Sequence, residues 1–149
     1  MSINRDSESF DSSRKKKEWG KFISFIEELE SMELIPEVKE SLDQSIQEIN
    51  AFAGADVKLI KLARKRRNQL LQLLEKKMKI VAKNQHRLRW LALGMSTFGI
   101  PLGLAIGLSL QNMAFLGIGI PIGLALGVGI GTAMDQKAAQ EGRQLKFEL

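Results

Sequence analysis

Residues 99–110 read GIPLGLAIGLSL and residues 119–130 read GIPIGLALGVGI; at an offset of twenty, seven of the twelve positions are identical. An internal repeat means that one structural unit is built twice. Both copies lie in a run of 45 residues, Trp90 to Met134, that contains no charged side chain. One helix needs about 20 apolar residues to cross a hydrocarbon core, so the run has room for two such helices and a turn. Gln111 and Asn112 are the natural place for that turn. The spans are then 91–110 and 113–134, and the fold class expected is all-α: a helical bundle or coiled-coil region followed by an antiparallel two-helix transmembrane hairpin.

Glycine dominates both copies. Gly99, Gly103 and Gly107 fall on one face of the first span, and Gly119, Gly123, Gly127 and Gly131 on one face of the second. Each line is a series of GxxxG steps, the pattern that lets helix backbones approach where lipid supplies no hydrophobic drive for association. Each glycine weakens a helix by about 1 kcal/mol relative to alanine in water, which argues that these positions serve contacts. They are assigned to helix packing, with a homo-oligomer formed through the hairpin as the expected assembly. Pro101 and Pro121 occupy equivalent places near the bilayer midplane and are assigned as hinges. Each removes a helix donor and frees the carbonyl four residues back, that of Thr97 or Gly117. The outcome is a bend that fits the helices together or, in a small oligomeric pore, a polar constriction near Ser96, Thr97 and Ser109.

Outward from the spans, the charges are segregated. Residues 1–56 hold 7 basic and 13 acidic side chains, residues 57–89 hold 12 and 1, and residues 135–149 hold 3 and 3. The basic residues before Trp90 place that end in the cytoplasm by the positive-inside rule, and two spans return the tail to the same side. Arg87, Arg89 and Trp90 are assigned to the membrane interface. Residues 1–12 are polar and read as disordered, with no cleavable leader expected. Residues 13–89 read as a cytoplasmic helical region, 90–134 as the hairpin and 135–149 as a cytoplasmic tail.

In the helical region, Trp19, Phe22, Ile23, Ile26 and Leu29 recur at helical spacing after Ser12 and Ser13, giving a helix to about Met32. Pro36 suits the first turn of a second helix, with Val38, Leu42, Ile46, Ile49 and Phe52 on its stripe and Gly54 at its end. Asp56 can cap a third, striped by Val57, Ile60, Ala63, Leu70, Leu71, Leu74, Met78, Val81 and Leu88. Because no Gly or Pro interrupts residues 55–93, this helix is expected to run into the membrane. Trp19, Phe22 and Phe25 read as bundle core in preference to an interfacial anchor.

Lys61, Arg64, Lys65, Arg66 and Arg67 form the densest basic patch. The acidic residues of the first two helices are one set of partners, and anionic lipid headgroups are another. Nucleic acid is the weakest alternative, because no aromatic side chains are interleaved with these charges for stacking on bases. A protein partner of residues 13–89 is the remaining option.

Chemistry of other kinds has little to work with. There is no Cys and one His, His86, which has no ligand-spaced neighbours. The spans lack Asp, Glu, Lys, Arg and His, which removes the usual intramembrane proton carrier. The G-x-G sequences sit inside a span with no preceding strand, so they are not dinucleotide loops. No catalytic, cofactor-binding or metal-binding residue is assigned and no enzyme is expected.

The second span and its exit, GIGIPIGLALGVGIGTAMDQKAAQEGRQL (117–145), resemble the small bacterial membrane proteins grouped as glycine zipper proteins. The shared features are a two-span Gly-rich hairpin and a polar tail of the type D-x-K-A-x-x-E-G-R-Q, here Asp135, Lys137, Ala138, Glu141, Gly142, Arg143 and Gln144. The similarity covers about residues 94–145. It implies a self-associating integral protein of the bacterial cytoplasmic membrane and carries no settled activity.

Overall fold

A computed structural model describes residues 3, 4 and 10–148. Most of the amino-terminal segment read as disordered therefore lies outside the described residues. Its last apolar residue does not: Phe10 is buried, with its ring 5.4 Å from that of Trp19.

The chain is all-α apart from one small sheet. In order it forms α1 (Ser13–Glu30), α2 (Pro36–Asn50), α3 (Asp56–Met78), β1 (Val81–Lys83), α4 (Gln85–Leu93), a π-helical segment (Gly94–Gly99), α5 (Ile100–Ser109), a 3-10 turn (Met113–Phe115), α6 (Leu116–Gln140) and β2 (Gln144–Glu148). Strands β1 and β2 pair in parallel. The chain divides into two compact units. One comprises residues up to Val81 together with Leu145–Phe147; the other comprises Ala82–Gln144 and Glu148.

In the first unit, α3 packs on both α1 and α2. The core is formed by Trp19, Phe22, Phe25, Ile26 and Leu29 from α1, Val38, Leu42, Ile46 and Ile49 from α2, and Leu59, Ala63, Leu70, Leu71 and Leu74 from α3. Pro36 opens α2, where its missing N–H costs nothing. Two details of α3 differ from the sequence expectation. Asp56 lies in the first turn, and Ala55 holds the cap position. The buried face runs through Leu59, which leaves Val57 52 % exposed. Leu59 is one turn before Ala63, so the phase of the stripe is set from Ala63 and Leu70 and not from Val57.

The larger correction is at the end of α3. The uninterrupted pattern predicts one helix over 56–89, but α3 stops at Met78, and Lys79 and Asn84 both adopt left-handed backbone, with φ of 59° and 62°. Left-handed φ is costly for a lysine, about 1–2 kcal/mol. What offsets it is the short extended segment it permits: Ile80, Val81 and Ala82 are all buried, and the strand finds a pairing partner in β2. Lys76 and Lys77 in the last turn also suit a helix C-terminus.

The tail is likewise more ordered than a polar segment needs to be. α6 continues to Gln140, and β2 then buries Leu145 and Phe147 in the helical unit. Glu28 on α1 receives the strand: its carboxylate oxygens accept from the backbone N–H of Lys146 at 2.6 Å and of Phe147 at 2.9 Å. The Phe147 ring packs 5.1 Å from that of Phe25 and lies 5.6 Å from the guanidinium carbon of Arg67.

Candidate membrane hairpin

Among the described residues, two helical stretches are long and apolar enough to cross a membrane: Gln85–Ser109, 25 residues, and Met113–Gln140, 28 residues. Both outrun the spans expected from the uncharged stretch, beginning before Trp90 and ending after Met134. Only 22 % and 17 % of their most apolar windows are buried. The buried positions are the small ones. Gly94, Gly99, Gly103 and Gly107 are covered on the first helix, and Gly119, Gly123, Gly127 and Gly131 on the second. Phe98, Ile100, Leu102, Leu108, Ile118, Ile122, Leu126 and Ile130 face outward. This inverts the usual arrangement in water, in which large apolar side chains are buried.

The glycine faces meet each other within the chain. A Cβ added at Gly123 would lie 2.5 Å from the Gly94 carbonyl oxygen and 2.5 Å from the Gly99 nitrogen. At Gly119 it would lie 2.3 Å from the Gly103 nitrogen, and at Gly127 2.1 Å from the Trp90 carbonyl oxygen. At Gly131 it would lie 2.5 Å from the Arg87 Cα, and at Gly103 2.4 Å from the Leu116 carbonyl oxygen. Gly107 is looser, its nearest neighbour being the Met113 sulfur at 3.4 Å. Backbone therefore touches backbone along most of the hairpin, leaving no lumen between its two helices.

Gly94 belongs to this face although it is five residues before Gly99 and outside the four-residue register. The π turns account for it. In that segment hydrogen bonds span five residues, as from Ile100 N–H to the Met95 carbonyl, and the wider turn stacks residue i on i+5. Pro101 gives a cause, since a proline deep inside a helix removes a donor and crowds the carbonyl four residues earlier. Pro121 lies inside α6, which stays α-helical through it. The two prolines are thus equivalent in sequence and different in setting. Both are exposed. The Ser96 hydroxyl is satisfied inside its own helix, donating to the Ala92 carbonyl at 2.9 Å.

At the charged end, Asp135 closes the hairpin. It is 6 % exposed, and its two carboxylate oxygens accept from the backbone N–H of His86 at 3.1 Å and of Arg87 at 2.9 Å. These are orphan donors of the first turn of α4, so a residue of α6 supplies the cap that Asn84 does not. Asp135 continues the series Gly119, Gly123, Gly127, Gly131 by one more step of four. That spacing was the available signal for it. Arg87 and Arg89 are exposed and Trp90 is half-buried.

No family model matches this chain, nor does any curated protein or solved structure.

The basic patch lies in the helical unit. Arg66 holds both oxygens of Glu48, with its Nε 2.8 Å from one of them, and Arg64 pairs with Glu18 at 3.0 Å. Lys61 and Lys65 are exposed. Arg67 is half-buried over Phe147, and among the described residues its Nε has no hydrogen-bond partner. Burial lowers the pKa of its guanidinium, opposed by the Glu18 carboxylate and aided slightly by Arg64. Among the described residues, no group of three or more His, Asp or Glu side chains could hold a metal ion.

Proposed function

We propose that this chain is a non-enzymatic integral protein of the bacterial cytoplasmic membrane, of the glycine zipper type. In this reading the hairpin 85–140 anchors it with both termini in the cytoplasm, and the helical unit serves as an interaction module. One observation carries the proposal: the hairpin has its backbone ridges inside and its Leu, Ile and Phe side chains outside. Soluble monomers rarely expose contiguous apolar patches of more than a few hundred square ångströms, and such surfaces mark contact with a partner or a membrane. In lipid an apolar exterior is the ordinary arrangement.

The inner glycines are occupied by the partner span, so self-association of the hairpin uses its outer faces. Gly117, Pro121, Ala125, Gly129 and Ala133 recur every four residues on the outer side of α6, and nothing lies within 4 Å of a Cβ added at Gly117 or Gly129. The internal pairing of Arg64 and Arg66 favours a structural use of the basic patch over nucleic-acid binding. Extraction of membranes with alkaline carbonate tests the anchor: the full chain is expected to stay with the vesicles, and its release, or a monodisperse preparation without surfactant, overturns the reading. Leucine substitution at Gly117 and Gly129 is expected to lower the mass of the particle in mild detergent.

A further inference from the structure

Among the described residues, the hairpin unit carries five cations (Lys83, Arg87, Arg89, Lys137 and Arg143) and three side-chain carboxylates, all on the segments that flank the uncharged run. All three carboxylates are engaged inside the unit. Asp135 accepts from two backbone N–H groups, Glu141 pairs with Arg143, and Glu148 accepts from the Asn84 side-chain amide at 2.6 Å. Lys83, Arg87 and Lys137 are exposed, and among the described residues none of the three has an ion pair. They come from both legs of the hairpin. Arg87 is fixed against Gly131 of α6 by backbone contact, Lys137 follows Gly131 by six residues, and Lys83 precedes Arg87 by four. The large apolar surface begins at the same level, with Leu88 49 % and Met134 39 % exposed. A ligand suited to this edge is therefore anionic at one end and apolar at the other.

We propose that Lys83, Arg87 and Lys137 form a docking edge for the phosphates of anionic phospholipids, so that the protein selects these over zwitterionic lipids from its surrounding shell. The proposal rests on the membrane reading above. Its physical basis is that cations making no ion pair among the described residues, held at a low-dielectric boundary, attract a headgroup of net negative charge and gain little from a neutral one.

The test uses the full chain with Trp19→Phe, which leaves Trp90 as the only indole. Its fluorescence is read in mixed vesicles of phosphatidylcholine and phosphatidylglycerol in which one lipid or the other carries brominated chains. At low salt, brominated phosphatidylglycerol is expected to associate about fivefold more strongly than brominated phosphatidylcholine. The ratio should fall to near one with Lys83→Gln, Arg87→Gln and Lys137→Gln combined, and shrink at high salt. Equal quenching by the two lipids, or a preference unchanged in the triple variant, overturns the docking edge while leaving the membrane reading intact. Absence of quenching by either lipid overturns both. Loss of the preference on adding millimolar inorganic phosphate would show a site for free phosphate and also overturn the proposal. Native mass spectrometry of the unsubstituted chain, which does not need the Trp19 variant, is expected to retain phosphatidylglycerol over phosphatidylcholine; equal retention of the two lipids likewise overturns the docking edge.

Discussion

Gly127 and Gly129 are two residues apart on one helix, yet the structure gives them opposite responses to a single methyl group. At Gly127 the added carbon would stand 2.1 Å from the Trp90 carbonyl oxygen and 3.1 Å from the Leu91 Cα, both backbone atoms that cannot rotate aside. The helices must part by roughly 1 Å or more to restore normal contact distance, and a gap of that size forfeits about a quarter to a half of each neighbouring dispersion well. The separation extends to the adjacent Gly94–Gly123 and Arg87–Gly131 contacts and pulls on the two hydrogen bonds to Asp135. Overpacking of this kind costs about 1–3 kcal/mol. At Gly129 a Cβ meets nothing within 4 Å, and replacing a mid-helix glycine with alanine gains up to about 1 kcal/mol. Thermal unfolding of Gly127→Ala and Gly129→Ala in one detergent, followed by near-ultraviolet circular dichroism, should show the first melting lower and the second level or higher. Because the chain has no Cys, spin labels introduced at exposed Leu88 and Met134 can report the opening, which should lengthen only in Gly127→Ala. Equal shifts in the two variants would mean that glycine here reflects composition, and the packing argument would fail.

Other sites allow equally direct tests. Asp135→Ala removes both acceptors at the start of α4 and is expected to cost about 1–2 kcal/mol, with faster hydrogen exchange at the amides of His86 and Arg87 as its local signature; unchanged exchange would refute the capping role. Phe147→Ala empties a site that is 8 % exposed between Phe25 and Arg67 and should destabilise the helical unit by about 3–5 kcal/mol, measured by denaturant unfolding of the full chain in detergent. Phe10→Ala should shift the emission of Trp19 and lower stability by a similar amount, about 3–5 kcal/mol; an unaltered spectrum would show that the amino-terminal segment does not cover the indole. Glu37→Gln breaks the exposed pair with Lys77, 2.8 Å long, and should change stability by no more than about 1 kcal/mol.

Much of this architecture could be read from one-dimensional pattern. The apolar spacing of α1 and α2, the proline at the start of α2 and the turn at Gln111–Asn112 are local features, decided by residues within a few positions of one another. The spacing of the glycines likewise marked a face on each span. Local pattern does not decide the outcome where a distant segment sets it. Nothing between residues 55 and 93 breaks a helix by propensity, and α3 ends at Met78 only because Ile80, Val81 and Ala82 gain burial and a strand partner some sixty residues later in the chain. Leu145 and Phe147 looked like part of a polar tail because their seat, built from Glu28, Phe25 and Arg67, is assembled from α1 and α3.

What the sequence determined alone was that two glycine-lined helices follow a charged helical region, because charge segregation and four-residue spacing are properties of the chain itself. Only the tertiary structure decided that those glycine faces are closed on each other within one molecule, that Gly94 joins them through π turns, and that Asp135 caps the facing helix. Each of these depends on atoms that approach within hydrogen-bond or van der Waals distance from opposite legs of the hairpin, and such distances are fixed by packing and not by order along the chain.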